Sequence, residues 1–259
     1  MSEKPIIFNT EMVRAILDGR KSETRRPMKP QPDHLHVFTT SGKSEYHAMI
    51  YCGENKDDIE VKAPYAVGDI LWVRETFVVE SNFNLDSESA YPPPFSDGRP
   101  ISRHDNPLYG AYWEQCHYRA TDKAPELCYD DCDEPCCRWK PSIHMPRWAA
   151  RLFLEVTNVR AQRVQEITEA DIAREGFRFV FNDPMCYPAE YYFKQTWNSI
   201  YGQWKKRIDK ETGAIWYECY PWSERDIPDY PKGVCPADCV AYPNPWVFAN
   251  TFKQIEAPK

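Results

Sequence analysis

The sequence predicts an α+β fold, a small mixed β-barrel with short inserted helices and long ordered loops. Three observations lead there. Runs with β-branched and aromatic character recur at residues 68–77 and 151–164, which is the pattern of paired strands. Apolar residues at helical spacing appear only in short stretches between them. Proline is abundant at 23 residues and aromatics make up 14%, while glycine is scarce at 10, so the connecting loops are stiffened by proline and pinned by ring packing.

Each element follows in chain order. From Thr10, the residues Met12, Val13, Ile16 and Leu17 share one helical face, Thr10 is the expected N-cap and Gly19 the stop. A polar turn and extended run follow at Gly19-Arg20-Lys21-Ser22-Glu23-Thr24-Arg25-Arg26-Pro27. Residues 30–66 have weak periodicity and read as an ordered insertion or hairpin. A Gly-Asp turn opens the strand Gly68-Asp69-Ile70-Leu71-Trp72-Val73-Arg74-Glu75-Thr76-Phe77, expected to be central. Residues 81–107 hold Pro92-Pro93-Pro94 with many Ser, Asp and Asn residues, and read as a long surface loop.

A short strand is expected at 116–120 and a long one from Arg151 to Val164. Thr168 then caps a helix with Asp171 at its third position, a capping-box arrangement that stops at Gly176 and sets Glu175 at the helix end. A further helix fits 189–201 and a last strand 246–252. No internal repeat marks a boundary, so residues 1–259 are expected to form one elaborated domain with insertions at about 121–138 and 204–240.

Composition excludes several functions. A net charge of −7 argues against coating duplex DNA through a broad basic face, which needs many Lys and Arg contacts to phosphate. No apolar run approaches the roughly 20 residues that span a bilayer, and Met1-Ser2-Glu3-Lys4-Pro5 does not begin a signal peptide. The expectation is a cytoplasmic protein without membrane contact, whose 10 cysteines are reduced.

Clustered thiols in such a chain point to metal before disulfides. Cys128, Cys132, Cys136 and Cys137 supply four thiols within one acidic loop, enough for a tetrahedral structural zinc, though the spacing differs from paired C-x2-C knuckles. Cys235 and Cys239, with Cys219 and Cys186, offer a second set. No organic cofactor is expected.

Two segments carry a resemblance. With Gly19-Arg20-Lys21-Ser22-Glu23-Thr24 after the first helix, and Gly68-Asp69-Ile70-Leu71-Trp72-Val73 with its following strand and helix to Gly176, the chain resembles the ASCH family of the PUA-like superfamily. The stretch Trp139-Lys140-Pro141-Ser142-Ile143-His144-Met145-Pro146-Arg147-Trp148 is similar to the long form carried by bacteriophages and prophages, which implies the host cytoplasm as its setting. The resemblance covers the small family core and leaves out the loops at about 30–66, 81–113, 121–138 and 204–240.

The resemblance implies a PUA-like barrel that handles RNA or modified nucleosides. It extends to an amidohydrolase that deacetylates N4-acetylcytidine, whose catalytic lysine, threonine and glutamate correspond to Lys21, Thr24 and Glu175. Such a set can supply a nucleophile, a proton acceptor and a proton donor for amide hydrolysis. Residues three apart on a regular strand face opposite ways, so Lys21 and Thr24 converge only if the chain turns between them. Arg26 and Arg74 are candidates for a phosphate or carbonyl oxygen, Trp72 for stacking a base, and His144 for the pocket mouth. The expected partner is a modified nucleoside or a single-stranded RNA base. Other classes left open are a non-catalytic RNA- or nucleoside-binding module, a ribonuclease and a phage assembly factor.

Overall fold

The computed structural model describes residues 2–32, 34–39, 46–51, 59–82, 98–106, 110–123, 138–178 and 187–258. Its elements in chain order are β1 (Glu3–Ile7), α1 (Thr10–Leu17), β2 (Glu23–Pro27), β3 (His34–Thr39), β4 (Tyr46–Tyr51), β5 (Ile59–Lys62), β6 (Ile70–Arg74), β7 (Phe77–Asn82), β8 (Ile101–Asn106), β9 (Gly110–Tyr118), β10 (Phe153–Arg163), α2 (Glu169–Arg174), α3 (Ala189–Tyr201), β11 (Lys205–Ile208), β12 (Ile215–Cys219), β13 (Cys239–Ala241) and β14 (Trp246–Ile255). The protein is therefore mixed α+β and mostly strand. The expected barrel is corrected in one respect: among the described residues no sheet closes on itself, because each keeps edge strands with a single neighbour.

The chain divides into two compact units, each assembled from separate stretches. The first comprises residues 1–19, 69–155 and 253–259, the second residues 20–68 and 156–252.

In the first unit β6 is central, as its sequence predicts. It pairs in parallel with β1 (Ile6 opposite Val73) and antiparallel with the start of β10 (Phe153 opposite Trp72). Alternation decides its faces: Leu71 and Val73 are buried, while Ile70, Trp72 and Arg74 are partly exposed. A second sheet orders its strands β7-β9-β8. Its strand β8 lies where a surface loop is expected from 81–107. Ser102, Arg103, His104 and Asp105 lack the apolar pattern of a core strand, yet they pair with β9 from Ile101 opposite Gln115 onward, and an edge position tolerates that polarity. Phe77, Cys116, Tyr118, Met145, Ala149 and Phe153 form the unit's core. Helix α1 is capped one residue earlier than expected, since Asn9 Oδ1 accepts from Met12 N at 2.8 Å.

In the second unit β2 pairs antiparallel with β14, setting Glu23 opposite Thr251, Thr24 opposite Asn250 and Arg26 opposite Phe248. The 30–66 insertion holds an antiparallel β3-β4-β5 sheet, and the 204–240 insertion holds β11-β12-β13. Helices α2 and α3 pack through Ile172, Phe193 and Trp197, with Trp222 and Val247 completing a core. Phe193 meets Phe177 edge-on at 5.5 Å and Trp222 at 5.8 Å. That packing fixes the end of α2, where Glu175 stands. No helix among the described residues is long and apolar enough to cross a membrane.

Candidate functional site

The segment after α1 builds the site by pairing with the end of α2. Gly19 takes the left-handed conformation at φ 69°, which redirects the chain. Arg20 Nη1 then donates to Gly176 O at 2.8 Å, Ser22 N donates to Arg174 O at 2.8 Å, and Lys21 forms an isolated antiparallel bridge with Glu175. Helix α2 holds its side of this junction through the expected capping box of Thr168 and Asp171, and Gly176, at φ 96°, ends it.

Lys21 and Glu175 are both buried. Lys21 Nζ donates to Glu175 Oε2 at 2.7 Å, to Glu175 O at 3.0 Å and to Glu23 O at 2.8 Å. Burial lowers the Lys21 ammonium from its ordinary value; Glu175 opposes the shift, and Arg26 and Arg25 reinforce it.

A charged network surrounds the pair. Arg25 reaches three carboxylates, with Nη1 2.7 Å from Glu23 Oε1 and 3.1 Å from Glu175 Oε1, and Nη2 3.1 Å from Asp171 Oδ2. Arg160 grips Glu23 with two bonds of 2.8 and 2.9 Å and donates to Asp171 at 3.0 Å. Arg174 also pairs with Asp171. Burial works against the Asp171 carboxylate, but its Thr168 hydrogen bonds, Arg25 and Arg160 prevail and hold it below the usual range. Glu23 and Arg25 gather here because alternate residues of β2 share a face.

Thr24 and Arg26 take the other face of β2. Thr24 is buried and no hydrogen bond joins it to Lys21 or Glu175 among the described residues. Its cross-strand neighbour Asn250 is fully buried, and while Nδ2 donates to Phe248 O at 3.2 Å, Oδ1 finds no partner among the described residues. Arg26 Nη1 donates to the Tyr201 hydroxyl at 2.6 Å. Burial would depress Arg26, but Tyr201, Tyr65 and Glu175 outweigh it and raise its pKa.

The other candidates lie in the first unit and make their contacts there. Trp72 packs on that unit's core, and the Arg74 guanidinium lies 5.5 Å from its ring while donating to Ile143 O. The ion pair open to Arg74 from its neighbour Glu75 is taken by Arg151, at 2.9 and 3.0 Å. His144 is exposed on a single 3-10 turn, Ser142–His144.

Cys128, Cys132, Cys136, Cys137 and Cys186 lie outside the described residues. Cys219, Cys235 and Cys239 carry free thiols, burial pushes the Cys219 thiol up to about 12, and among the described residues no group of three His, Cys, Asp or Glu side chains is placed to hold a metal.

Of the three residues that the resemblance aligns, Lys21 and Glu175 meet while Thr24 stands apart, and the sequence did not single out Glu23, Arg25, Arg160, Asn250 or Tyr201. The period-two pattern Glu23-Thr24-Arg25-Arg26 was the available signal for Glu23 and Arg25. A separate cleft of about 540 Å³ opens between Gln165, Lys194, Trp222, Arg225 and Asn244, and contains none of the predicted residues. Comparison with known proteins finds no family model, no curated protein and no solved structure that matches the chain.

Proposed function

We propose that the chain carries a PUA-like domain of the ASCH type, whose Lys21–Glu175 centre hydrolyses an N-acyl amide on a modified cytosine nucleoside. The observation that carries this reading is the buried 2.7 Å pair itself. Two side chains that the resemblance assigns to acid–base chemistry, separated by 154 positions, meet in direct contact, with Glu175 keeping 4% of its side chain exposed.

Burial lowers the Lys21 ammonium, and in the proposed reaction a proton passed from Lys21 Nζ to Glu175 Oε2 yields a neutral amine and a carboxylic acid. The amine keeps two N–H groups for the carbonyls of Glu23 and Glu175. In the proposed reaction a water oxygen bonds to the acyl carbon as its proton passes to Lys21 Nζ. The C–N bond to cytosine N4 then breaks, and Glu175 Oε2 delivers its proton to the departing nitrogen. Products are a carboxylic acid and the free cytosine amine, and transfer along the Lys21–Glu175 bond resets the pair. Water is the assigned nucleophile because Thr24 is bonded to neither partner. The Thr24 hydroxyl is assigned to the acyl oxygen, beside Asn250.

A second reading, a non-catalytic nucleoside-binding module, is favoured by one observation: all three Lys21 donors already have acceptors, as in a structural pin. Turnover of N4-acetylcytidine, followed by chromatography of released cytidine, separates the two. Hydrolysis is expected from the intact protein, reduced on the order of 100- to 10,000-fold in Lys21→Ala and about 10- to 100-fold in Thr24→Ala. Binding of N4-acetylcytidine without turnover of any N4-acyl group by folded protein supports the binding module instead. An acylated Thr24 detected by mass spectrometry would replace water with Thr24 as nucleophile.

A further inference from the structure

Beyond Arg26, three cations and three tyrosines gather around a single carboxylate. Strand β11 presents Lys205 and Arg207 on one face, and Lys205 is directly opposite Glu218 of β12. Arg207 Nε lies 2.5 Å and Lys29 Nζ 3.0 Å from the same oxygen, Glu218 Oε1. Lys205 Nζ donates only to a main-chain carbonyl, Ile200 O at 2.8 Å, and among the described residues it has no carboxylate within ion-pair distance. Glu218 is thus shared by two cations and leaves a third without a salt bridge.

The tyrosines bind these groups into one surface. Lys205 Nζ lies 5.5 Å from the Tyr201 ring, whose hydroxyl accepts from Arg26, and Lys29 Nζ lies 5.2 Å from the Tyr220 ring, which stacks on Tyr242. Gln31 fixes the turn carrying Lys29, bonding Met28 O at 2.9 Å and both the N–H and carbonyl of Trp246. Lys29 and Lys205 are exposed and Arg207 is half-buried, so an anion can reach these three from solvent, with Arg26 behind them. Burial lowers the Lys205 ammonium, and repulsion from Lys29, Arg207 and Arg26 lowers it further against Glu218 alone. Like charges crowded in this way gain most when an anion joins them.

We propose that Arg26, Lys29, Lys205 and Arg207 form a phosphate site, so that the substrate of the Lys21–Glu175 centre is a phosphorylated cytosine nucleotide. Arg26 is the link, because its charge is felt at both Lys21 and Glu175. Two guanidinium and two ammonium groups suit the tetrahedral oxygens of a phosphate, and the phenol rings add surface for a sugar or neighbouring base. The phosphate is either a monoester or a phosphodiester of a single strand. The assignment of cytosine rests on the proposed function; the phosphate site does not.

Titration calorimetry with cytidine, 5′-CMP, inorganic phosphate and a short oligocytidylate tests this in the wild type, Lys205→Gln and Lys29→Gln. The expected result is 5′-CMP binding about tenfold or more tighter than cytidine at low salt, with that advantage shrinking as salt rises and in both variants, while cytidine affinity stays the same. Tighter binding of the oligonucleotide than of 5′-CMP assigns a phosphodiester, and equal or weaker binding a monoester. Phosphate binding that depends on Lys205 and Lys29, without any effect of the base, supports the site and removes cytosine. Equal affinity for cytidine and 5′-CMP, or a phosphate advantage that both variants retain, overturns the proposal.

Discussion

Arg25 stands at the point where three buried carboxylates meet, and its removal tests what the network contributes. Replacing it with Met leaves Glu23, Asp171 and Glu175 short of a cation while all three remain buried. Arg25→Met is expected to lower stability by about 3–5 kcal/mol. Arg174, whose side chain is 43% exposed, is expected to cost only about 0–1 kcal/mol when truncated. Denaturant unfolding of the two variants checks the contrast. Lys21 predicts a pH dependence. Its pKa in the folded protein is lowered by burial, so the unfolded chain holds more protons between that value and 10.5, and across this window its contribution to stability rises with pH. In the proposed reaction the working form, a neutral Lys21 amine beside a protonated Glu175, holds as many protons as the resting ion pair. Thus kcat/KM should fall as pH rises through the lowered Lys21 value, along a limb lying below lysine's ordinary range. A limb at or above that range would contradict the assignment. At this scale the sequence reached Lys21 and Glu175 through a resemblance of short segments. It did not reach Arg160 or Asn250, because their roles come from neighbours as distant in the chain as Glu23 and Thr24, which only pairing brings close.

Helix α2 is six residues long, too short to be stable by itself, and its ends are what make it useful. Thr168 and Asp171 close the first turn while Asp171 also receives Arg25 and Arg160, so one side chain joins the cap to the network. Thr168→Ala is expected to cost about 1 kcal/mol and to reduce turnover by loosening Glu175, with KM changed less than kcat. An unaltered kcat would show that the cap and the site are independent. The capping box, α3 at 189–201 and the long strand β10 were legible because each rests on local rules of spacing and hydrogen bonding. Strand β8 was not, since edge pairing with β9 rather than its own apolar pattern makes it a strand. The placing of Thr24 away from Glu23 and Arg25 follows from the two-residue period of β2, and in the proposed hydrolysis it is this placing that leaves the attack to water.

Across the molecule, the net charge conceals closely paired charges of both signs. The chain is acidic at −7, yet its buried network and the Lys29–Lys205–Arg207 surface concentrate cations in the second unit. Carboxylates held by such cations make acid the sensitive direction. Asp171, Glu218 and Asp226 are all below their ordinary values, so their stabilisation is present above the unfolded carboxylate range and is lost as pH falls through their lowered folded values. Glu75, raised by burial despite Arg151, works in the opposite sense. Unfolding midpoints measured downward from neutral pH should fall most steeply below about pH 4, and Asp171→Asn should flatten that fall.

If Lys21 and Glu175 act as one acid–base unit, a double-mutant cycle on N4-acetylcytidine hydrolysis reveals it. For folded Lys21→Ala, Glu175→Gln and the double variant, kcat/KM should fall by similar factors, with the double variant no worse than the poorer single one. Losses that multiply, or a Lys21→Ala protein that folds and turns over at the wild-type rate, would contradict it.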